Sequence, residues 1–538
     1  MITQACLECD HSSRLRRQAS GSALIVVIRF ARISMSDRPQ VCAVIAEETV
    51  DAARAAMKRA GGIADLIELR LDFLRDFDFS NPNSLRVLLE DKPLPVIITC
   101  RAISEGGAQQ IDEQIRIRLL VEGAKRFADY CDIEAASYPE AARLSPDASR
   151  LIVSYHNFDE TPDDLNAVYA RVTSLPAAIH KIVTQARTIT DSLAIFNLLQ
   201  RARDEAKPLI AMSMGQGGII TRVLGPSRGS FLTYGSIARG KESAAGQMTC
   251  EELINTYRIR QLSRATSITG IIGSPVGHSA SPAMHNRAFA ELDLDFVYLP
   301  LEVEDIEQFI TRMVRPATRE MVWNLQGFSV TIPHKTSFLS LLDDLDQTAR
   351  DVGAINTVVI RDGKLIGYNT DAQAFLEPLA GIHALAGAKC AVLGAGGAAR
   401  AVIHGLLQSG AKVSLFVRNV DKSGELGQSF GIDASPIESL SSSDAAVIIN
   451  TTPAGMRGHS EGTSPVPRAA LRGRQVAYDL VYNPAETRFL LDARAEGCQA
   501  IGGLEMLVAQ AALQFALWTG RAAPLDAMRD EAKRFLES

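Results

Sequence analysis

Eight short apolar, β-branched runs recur between Val41 and Gln247, each followed by an amphipathic stretch, and no other feature constrains the fold as strongly. The runs occupy residues 41–46, 66–71, 96–100, 130–134, 151–155, 180–184, 209–214 and 231–237. They are nearly continuous in Val, Ile and Leu, the composition of strands covered on both faces. Intervening segments such as 111–129 and 190–205 repeat apolar residues at helical spacing. Eight such units in about 210 residues predict a (β/α)8 barrel. Glu68, Arg70, Arg101, Glu134, His156 and Lys181 lie on these runs or at their C-terminal ends, mostly where barrels carry active sites. Lys181, in Ile179-His180-Lys181-Ile182-Val183-Thr184, is expected to lose solvation among apolar neighbours. Its ammonium pKa should then fall, leaving an amine able to attack a ketone. His156, 25 residues earlier at the end of Ser154-Tyr155-His156, is suited to moving the protons. The pair points to imine chemistry on a carbonyl substrate.

The 538 residues exceed what one core supports, so two or three domains are expected. A net charge of −6 argues against a nucleic-acid partner, and no apolar run is long enough to span a bilayer. Small-molecule substrates and a cytoplasmic location are the expectation, with the oligomeric state left open. Of eight cysteines, only Cys6-Leu7-Glu8-Cys9 forms a CxxC, and it has no second pair to complete a zinc site. Reduced thiols and no metal follow. Residues 1–40 are set apart as a disordered extension. The apolar patch 23–28 is flanked by arginines, but Glu8 and Asp10 suit a transit peptide poorly. Translation starting at Met35 is the preferred reading.

A second unit opens at residues 268–273 and the loop Gly273-Ser274-Pro275-Val276-Gly277-His278-Ser279-Ala280-Ser281-Pro282, with strands expected at 296–301, 328–332 and 357–360. It continues with Gly394-Ala395-Gly396-Gly397-Ala398-Ala399, between an apolar strand at 391–393 and a helix at 398–408. In that context the glycines read as a dinucleotide turn: Gly394 bends the chain and Gly396 admits a pyrophosphate at the helix N-terminus. A purely structural glycine turn is the alternative. The next strand, 412–417, runs into Arg418-Asn419 instead of an acidic residue, favouring NADP over NAD. Lys335 and Asp371 are a candidate proton relay at an alcohol oxygen, with an ordinary surface salt bridge as the alternative. Ser279, Ser281, Asn356 and Gln510 offer donors suited to a polyhydroxylated acid.

Taken together, residues 41–247 resemble type I 3-dehydroquinate dehydratase and residues 268–538 resemble shikimate dehydrogenase. In this order they resemble the bifunctional family of the shikimate pathway, best known from plants. The resemblance implies a barrel over 41–255, a substrate-binding lobe over 268–375, a Rossmann NADP-binding domain over 376–505, and C-terminal helices over 506–538 packing back on the substrate-binding lobe. It makes Lys181 the imine-forming lysine, His156 the general acid/base and Glu105 the carboxylate orienting it. Glu68, Arg70, Arg101, Arg222, Ser243 and Gln247 would bind the first substrate, with Arg222 clamping its carboxylate. Lys335 and Asp371 match the dehydrogenase's catalytic pair. Ser279, Ser281, Thr331, Asn356, Asp371, Tyr482 and Gln510 match its substrate contacts. Gly394, Ala395, Gly396, Gly397, Ala398, Arg418, Asn419 and Gly503 match cofactor positions, and Asn450-Thr451-Thr452-Pro453-Ala454-Gly455-Met456 is a further signature. Three positions depart from the pattern: Ala245 replaces a proline, Ser329 an asparagine, and Val417 an asparagine before the arginine. Two alternatives stay open here. One is a class I aldolase barrel fused to a quinate or related polyol dehydrogenase, and the other is a metabolite sensor without turnover.

Overall fold

The computed structural model describes residues 38–382 and 384–537; the Cys6–Cys9 pair, Met35 and the rest of the extension before residue 38 lie outside the described residues. The first eight strands are β1 (Val41–Ile45), β2 (Leu66–Arg70), β3 (Val96–Thr99), β4 (Tyr130–Glu134), β5 (Leu151–His156), β6 (Ile179–Gln185), β7 (Leu209–Met214) and β8 (Thr233–Ser236). All pair in parallel, in the order β7-β6-β5-β4-β3-β2-β1-β8. The β7–β8 seam is thinner, carrying one parallel bridge between Leu209 and Ser230 just ahead of β8. Helices follow the strands because their caps and faces agree. Helix Glu113–Arg126, for example, starts at Asp112, whose carboxylate accepts from the Gln114 and Ile115 amides, and buries Ile117, Leu120 and Val121.

Strand register gathers the polar residues. Side chains two apart on a strand share a face, so Glu68 goes with Arg70, and Asp132 with Glu134. The parallel pairings place Ser154 beside Lys181, Glu134 beside Ser154, and Asp132 beside Thr99. A polar layer therefore lies inside the barrel toward the C-terminal ends of its strands.

The second half holds two further sheets. The first comprises β9 (Ser267–Gly273), β10 (Phe296–Glu302), β11 (Gly327–Val330), β12 (Asp344–Leu345), β13 (Thr357–Arg361) and β14 (Lys364–Tyr368), ordered β10-β9-β11-β13-β14-β12. The second comprises β15 (Lys389–Leu393), β16 (Lys412–Val417), β17 (Ala434–Pro436), β18 (Val447–Asn450), β19 (Val476–Asp479) and β20 (Gln499–Ile501). Its order, β17-β16-β15-β18-β19-β20, is that of a doubly wound dinucleotide fold whose direction reverses between β15 and β18. Two of the sequence expectations need correction. β11 leaves the sheet after Val330, ahead of Pro333, which has no amide to donate. The hairpin strand β14 was not anticipated, although Asp362 and Gly363 both have positive φ (51° and 76°), as an Asp-Gly turn requires.

Direct contacts tie the halves together. Arg228 Nη1 donates to the Val322 carbonyl at 2.9 Å, and Arg258 Nη2 donates to the Leu294 and Phe296 carbonyls, both at 3.0 Å. One contiguous apolar cluster runs from Val41 and Ile45 through Leu253 and Ile259 to Val297 and Phe328. The helices Leu504–Thr519 and Leu525–Glu537 return to helix Ser281–Glu291, burying Phe289, Phe515, Trp518 and Met528 in another. Phe289 and Phe515 stack with ring centroids 5.2 Å apart. Phe289→Ala should cost this region about 3–5 kcal/mol. The measurement is urea unfolding followed by tryptophan emission, because Trp518 lies in the same cluster. An unchanged midpoint would show that the returning helices are held by something else.

Candidate active sites

The barrel's polar layer surrounds a cavity of about 60 Å³. Glu68 and Arg70 reach it from β2, His156 from β5 and Lys181 from β6; Arg101, Glu105, Arg222, Ser243 and Gln247 come from the loops and helices that follow strands. All nine residues that the resemblance gave a role in the first half thus line one cavity, whereas Glu134 lies behind Arg101. Lys181, 4% exposed, donates to Glu68 Oε1 at 3.1 Å and to Asp132 Oδ2 at 3.0 Å. The surroundings therefore differ from those the apolar run suggested: the amine sits in an ion pair with two carboxylates, not among aliphatic side chains. Arg101 likewise lines the cavity, but its guanidinium is engaged by Asp132 (2.9 and 2.9 Å), Glu134 (3.1 Å) and Ser154 (2.9 Å). Arg70 is bound to Asp72 at 2.9 and 2.7 Å.

Arg222 is the exception among these cations. It is 2% exposed, its Nε has no partner, and its other contacts are the Met212 sulfur (3.6 Å) and the Ala245 carbonyl (3.3 Å). Burial lowers its pKa to about 10. A guanidinium so placed is an open seat for an anion.

His156 and Glu105 form a directed pair. Glu105 Oε2 accepts the His156 backbone N–H at 3.1 Å and lies 3.0 Å from Nδ1. Burial holds the imidazole well below its ordinary pKa, with Arg101 and Lys181 adding to the effect, so the ring is neutral. Burial also pushes the Glu105 carboxyl up to about 7. While Glu105 is ionised, Nδ1 carries the proton toward it and Nε2 keeps a free lone pair.

Sequence reasoning missed two residues here. Asp132 joins Arg101, Lys181 and Ser154; burial alone would raise its carboxyl, but the two cations outweigh it and hold it well below the usual range. Its signal was an aspartate inside the apolar strand β4. Tyr234, on β8, presents its ring to Lys181, with Nζ 4.4 Å from the centroid. A strand tyrosine reads as core, and nothing in the sequence marks it.

The second half holds two adjoining cavities. The smaller, about 180 Å³, is lined by Ser279, Ser281, Thr331, Asn356, Tyr482 and Gln510, with Lys335 and Asp371 at its edge. Lys335 Nζ donates to Asp371 Oδ2 at 2.5 Å, and Asn356 Nδ2 donates to Oδ1 at 2.8 Å. Asn356 is itself fixed by the Thr370 amide and the Thr357 hydroxyl, both at 2.9 Å. The pair is thus anchored on one side in a buried network, which sets it apart from an ordinary surface salt bridge. Ser329 adds a polar floor, bonded to the Tyr298 hydroxyl (2.6 Å) and to Gln514 (2.7 Å), neither of which was anticipated. Gly503 also lies in this cavity, beside Ala398, and not in the larger groove.

That groove, about 860 Å³, opens where the strand order reverses. Gly394, Ala395, Gly396, Gly397 and Ala398 form one wall, Arg418 and Asn419 another, and Thr451 to Ala454 a third. Gly394 has φ +106°, and a Cβ there would stand 2.8 Å from Thr452 Cγ2. A Cβ on Gly396 would meet nothing, so the backbone is bare toward the groove ahead of helix Gly397–Gln408. Arg418 is exposed at the groove's edge. These features fit a dinucleotide carrying an extra phosphate.

Residues 41–264 match the family model of Type I 3-dehydroquinase, and residues 271–358 that of the Shikimate dehydrogenase substrate binding domain. Residues 503–533 match the Shikimate 5'-dehydrogenase C-terminal domain, and residues 389–458 a model described as NADP oxidoreductase coenzyme F420-dependent. The chain is 34% identical over 511 residues to the chloroplastic bifunctional 3-dehydroquinate dehydratase/shikimate dehydrogenase of Arabidopsis thaliana, covering 90% of this chain and 82% of that one. Shikimate biosynthesis protein AroDE of Chlamydia pneumoniae is 31% identical over 486 residues, 89% of this chain and 95% of the relative. The second half alone is 44% identical over 263 residues to shikimate dehydrogenase (NADP(+)) of Pelobacter propionicus, 48% of this chain and 92% of the relative. Similar to these relatives through both halves and in the same order, the chain belongs to the family of bifunctional 3-dehydroquinate dehydratases/shikimate dehydrogenases.

Proposed function

We propose that the barrel converts 3-dehydroquinate to 3-dehydroshikimate through an imine on Lys181, and that Lys335 and Asp371 serve the reduction of that ketone to shikimate with NADPH. These are consecutive steps of the shikimate pathway toward chorismate and the aromatic amino acids. The observation that carries this reading is the single cavity shared by Lys181, His156 and Arg222, whose Nε has no hydrogen-bond partner. Arg222 seats the substrate carboxylate, and Glu68, Arg70, Ser243 and Gln247 surround the ring. Lys181 gives up its ammonium proton before attack; Glu68, which already accepts from Nζ, is the acceptor within reach. The amine adds to the C3 ketone and loss of water leaves the imine. That imine acidifies the adjacent C–H, and neutral His156 removes the proton at Nε2. The C1 hydroxyl then leaves as water with a returned proton, and imine hydrolysis frees Lys181. Glu105 holds the tautomer this requires.

In the second half, Ser279, Ser281, Thr331, Asn356, Tyr482 and Gln510 hold the ring acid. NADPH supplies a hydride to the ketone carbon when bound. Lys335 delivers the proton to the developing alkoxide oxygen, and Asp371, anchored by Asn356, steadies the ammonium that does so. The glycine turn takes the pyrophosphate, while Arg418 and Asn419 take the 2′-phosphate. Among the described residues no helix is long and apolar enough to cross a membrane.

Three outcomes test these assignments. Borohydride with dehydroquinate should fix label on Lys181; dehydration that continues with no labelled lysine removes the imine. Dehydration kcat/KM should rise with pH through a midpoint near 7, because Glu105 must ionise to leave Nε2 free. Glu105→Gln should abolish that rise and slow dehydration by about 10–100-fold, so an identical profile in the variant contradicts the orienting role. Arg418→Ala should raise the KM for NADPH by about 10–100-fold and leave that for NADH nearly unchanged. Equal effects on both would place the 2′-phosphate elsewhere.

A further inference from the structure

Asp479, the last residue of β19, is fully withdrawn from solvent, and among the described residues no cation pairs with it. Its carboxylate is held instead by three donors. Asn450 Nδ2 at 2.9 Å and the Val481 amide at 3.0 Å meet Oδ1, and the Thr487 hydroxyl at 2.6 Å meets Oδ2. Burial pushes the carboxyl up to about 6, so it is ionised at neutral pH. A buried charge without a counter-ion is costly, and the reaction steps above do not use this one. Three donors converging on two oxygens account for it, because a protonated acid or an amide accepts at fewer places.

The three donors lead to different places. Asn450 ends β18 and stands opposite Asp479 in the pairing of the two strands. With Nδ2 committed to Asp479, its Oδ1 accepts from the Thr452 amide at 3.0 Å and hydroxyl at 2.6 Å. Thr452 belongs to the third wall of the cofactor groove and meets Gly394 across it. The Val481 amide fixes the segment 480–482, from which Leu480 and Tyr482 line the substrate cavity. Gly503 packs so closely behind this segment that a Cβ there would lie 2.4 Å from the Leu480 carbonyl oxygen. Thr487 caps helix Arg488–Ala495, accepting from the Leu490 amide at 3.3 Å. One oxygen of Asp479 therefore serves both binding surfaces, and the other serves the helix cap.

We infer that Asp479 is a positioning residue of the dehydrogenase, setting the cofactor wall through Asn450 and the substrate-side Tyr482 through the Val481 amide. The inference rests on the reading of this half as an NADPH-dependent ketone reductase. Removing Oδ1 releases both surfaces at once. A residue needed only for stability would instead reduce the number of working sites and leave the affinity of each site alone.

Two measurements on the full chain test it: the Kd for NADP+ by calorimetry, without turnover, and the KM for 3-dehydroshikimate at saturating NADPH. Dehydration by the barrel controls for folding of the rest of the chain. Asp479→Ala should raise the Kd and the KM by about 10-fold or more each. Asp479→Asn can keep an oxygen where Oδ1 stands and turn its amide nitrogen toward Thr487, so it should restore both to within about 3-fold of wild type. Asn450→Ala should weaken NADP+ alone, and should add little to the loss that Asp479→Ala already causes. Thr487→Val keeps the shape of the cap without its hydroxyl; it should lower the thermal midpoint and leave Kd and KM in place. Where Asp479→Ala yields no folded dehydrogenase, Asp479→Ser, too short to reach either amide donor, takes its place. Fewer NADP+ sites per chain at an unchanged Kd, with KM also unchanged, would make Asp479 a structural residue and overturn the inference. An Asn variant as impaired as the Ala one, additive losses in the double variant, or the same losses in Thr487→Val would do so too. Absence of NADPH-dependent reduction in wild type would instead reject the assignment of the site.

Discussion

Ionised groups withdrawn from water are costly unless each is matched, and at the floor of the barrel Glu68, Arg101, Asp132, Glu134 and Lys181 are all nearly without solvent. Asp132 is the member that makes the set possible. It takes Arg101 through both oxygens and Lys181 through one, while Ser154 donates to it at 2.6 Å. Arg116 compensates the far side, donating to Glu134 at 2.6 Å. The amine is thereby held in one place with a proton acceptor, Glu68, at hand, and every surrounding cation but Arg222 already has its carboxylate. Arg222 is thus the place in the cavity where an anion finds an unmatched cation.

The dehydrogenase half solves the positioning problem differently. Its reactive pair is less buried and is held from one side only, through Asn356 and the Thr357–Thr370 network. That network sits on β13 and at the end of β14, beneath the groove made by the second sheet. The strand reversal between β15 and β18 opens the groove, and the turn Asn450-Thr451-Thr452 closes against the glycines across it. One sheet presents the substrate and the other the cofactor, so the reaction centre belongs to neither.

Much of this was legible in the sequence because burial on both faces leaves a plain mark. β1, β4 and β7 fall at or within a residue of the runs. Lys181, His156 and Lys335 stood out because a charged or titratable side chain beside an apolar strand needs a reason to be there. The two-strand hairpin β13–β14 was half missed: Lys364, Gly367 and Tyr368 do not read as a buried run, because burial alternates along this strand. Tyr234 was missed because a tyrosine is ordinary in a core, and Gln514 because a helix glutamine ordinarily faces solvent; only packing reveals that one faces the amine and the other Ser329. The surroundings of Lys181 were misjudged for a related reason. Local sequence reports neighbours along the strand, whereas Glu68 and Asp132 arrive from strands 113 and 49 residues away.

The thin seam of the barrel has a consequence for how the protein breathes. β8 is zipped to β1 along its length but fastened to β7 at a single rung. Thermal parting of the wall there sacrifices far less amide bonding than parting it anywhere else, so this is where exchange with solvent deuterium should begin. The strand that would swing carries the aromatic face beside Lys181. Slow fluctuation of the scaffold and the surroundings of that amine are thus written into the same stretch of backbone.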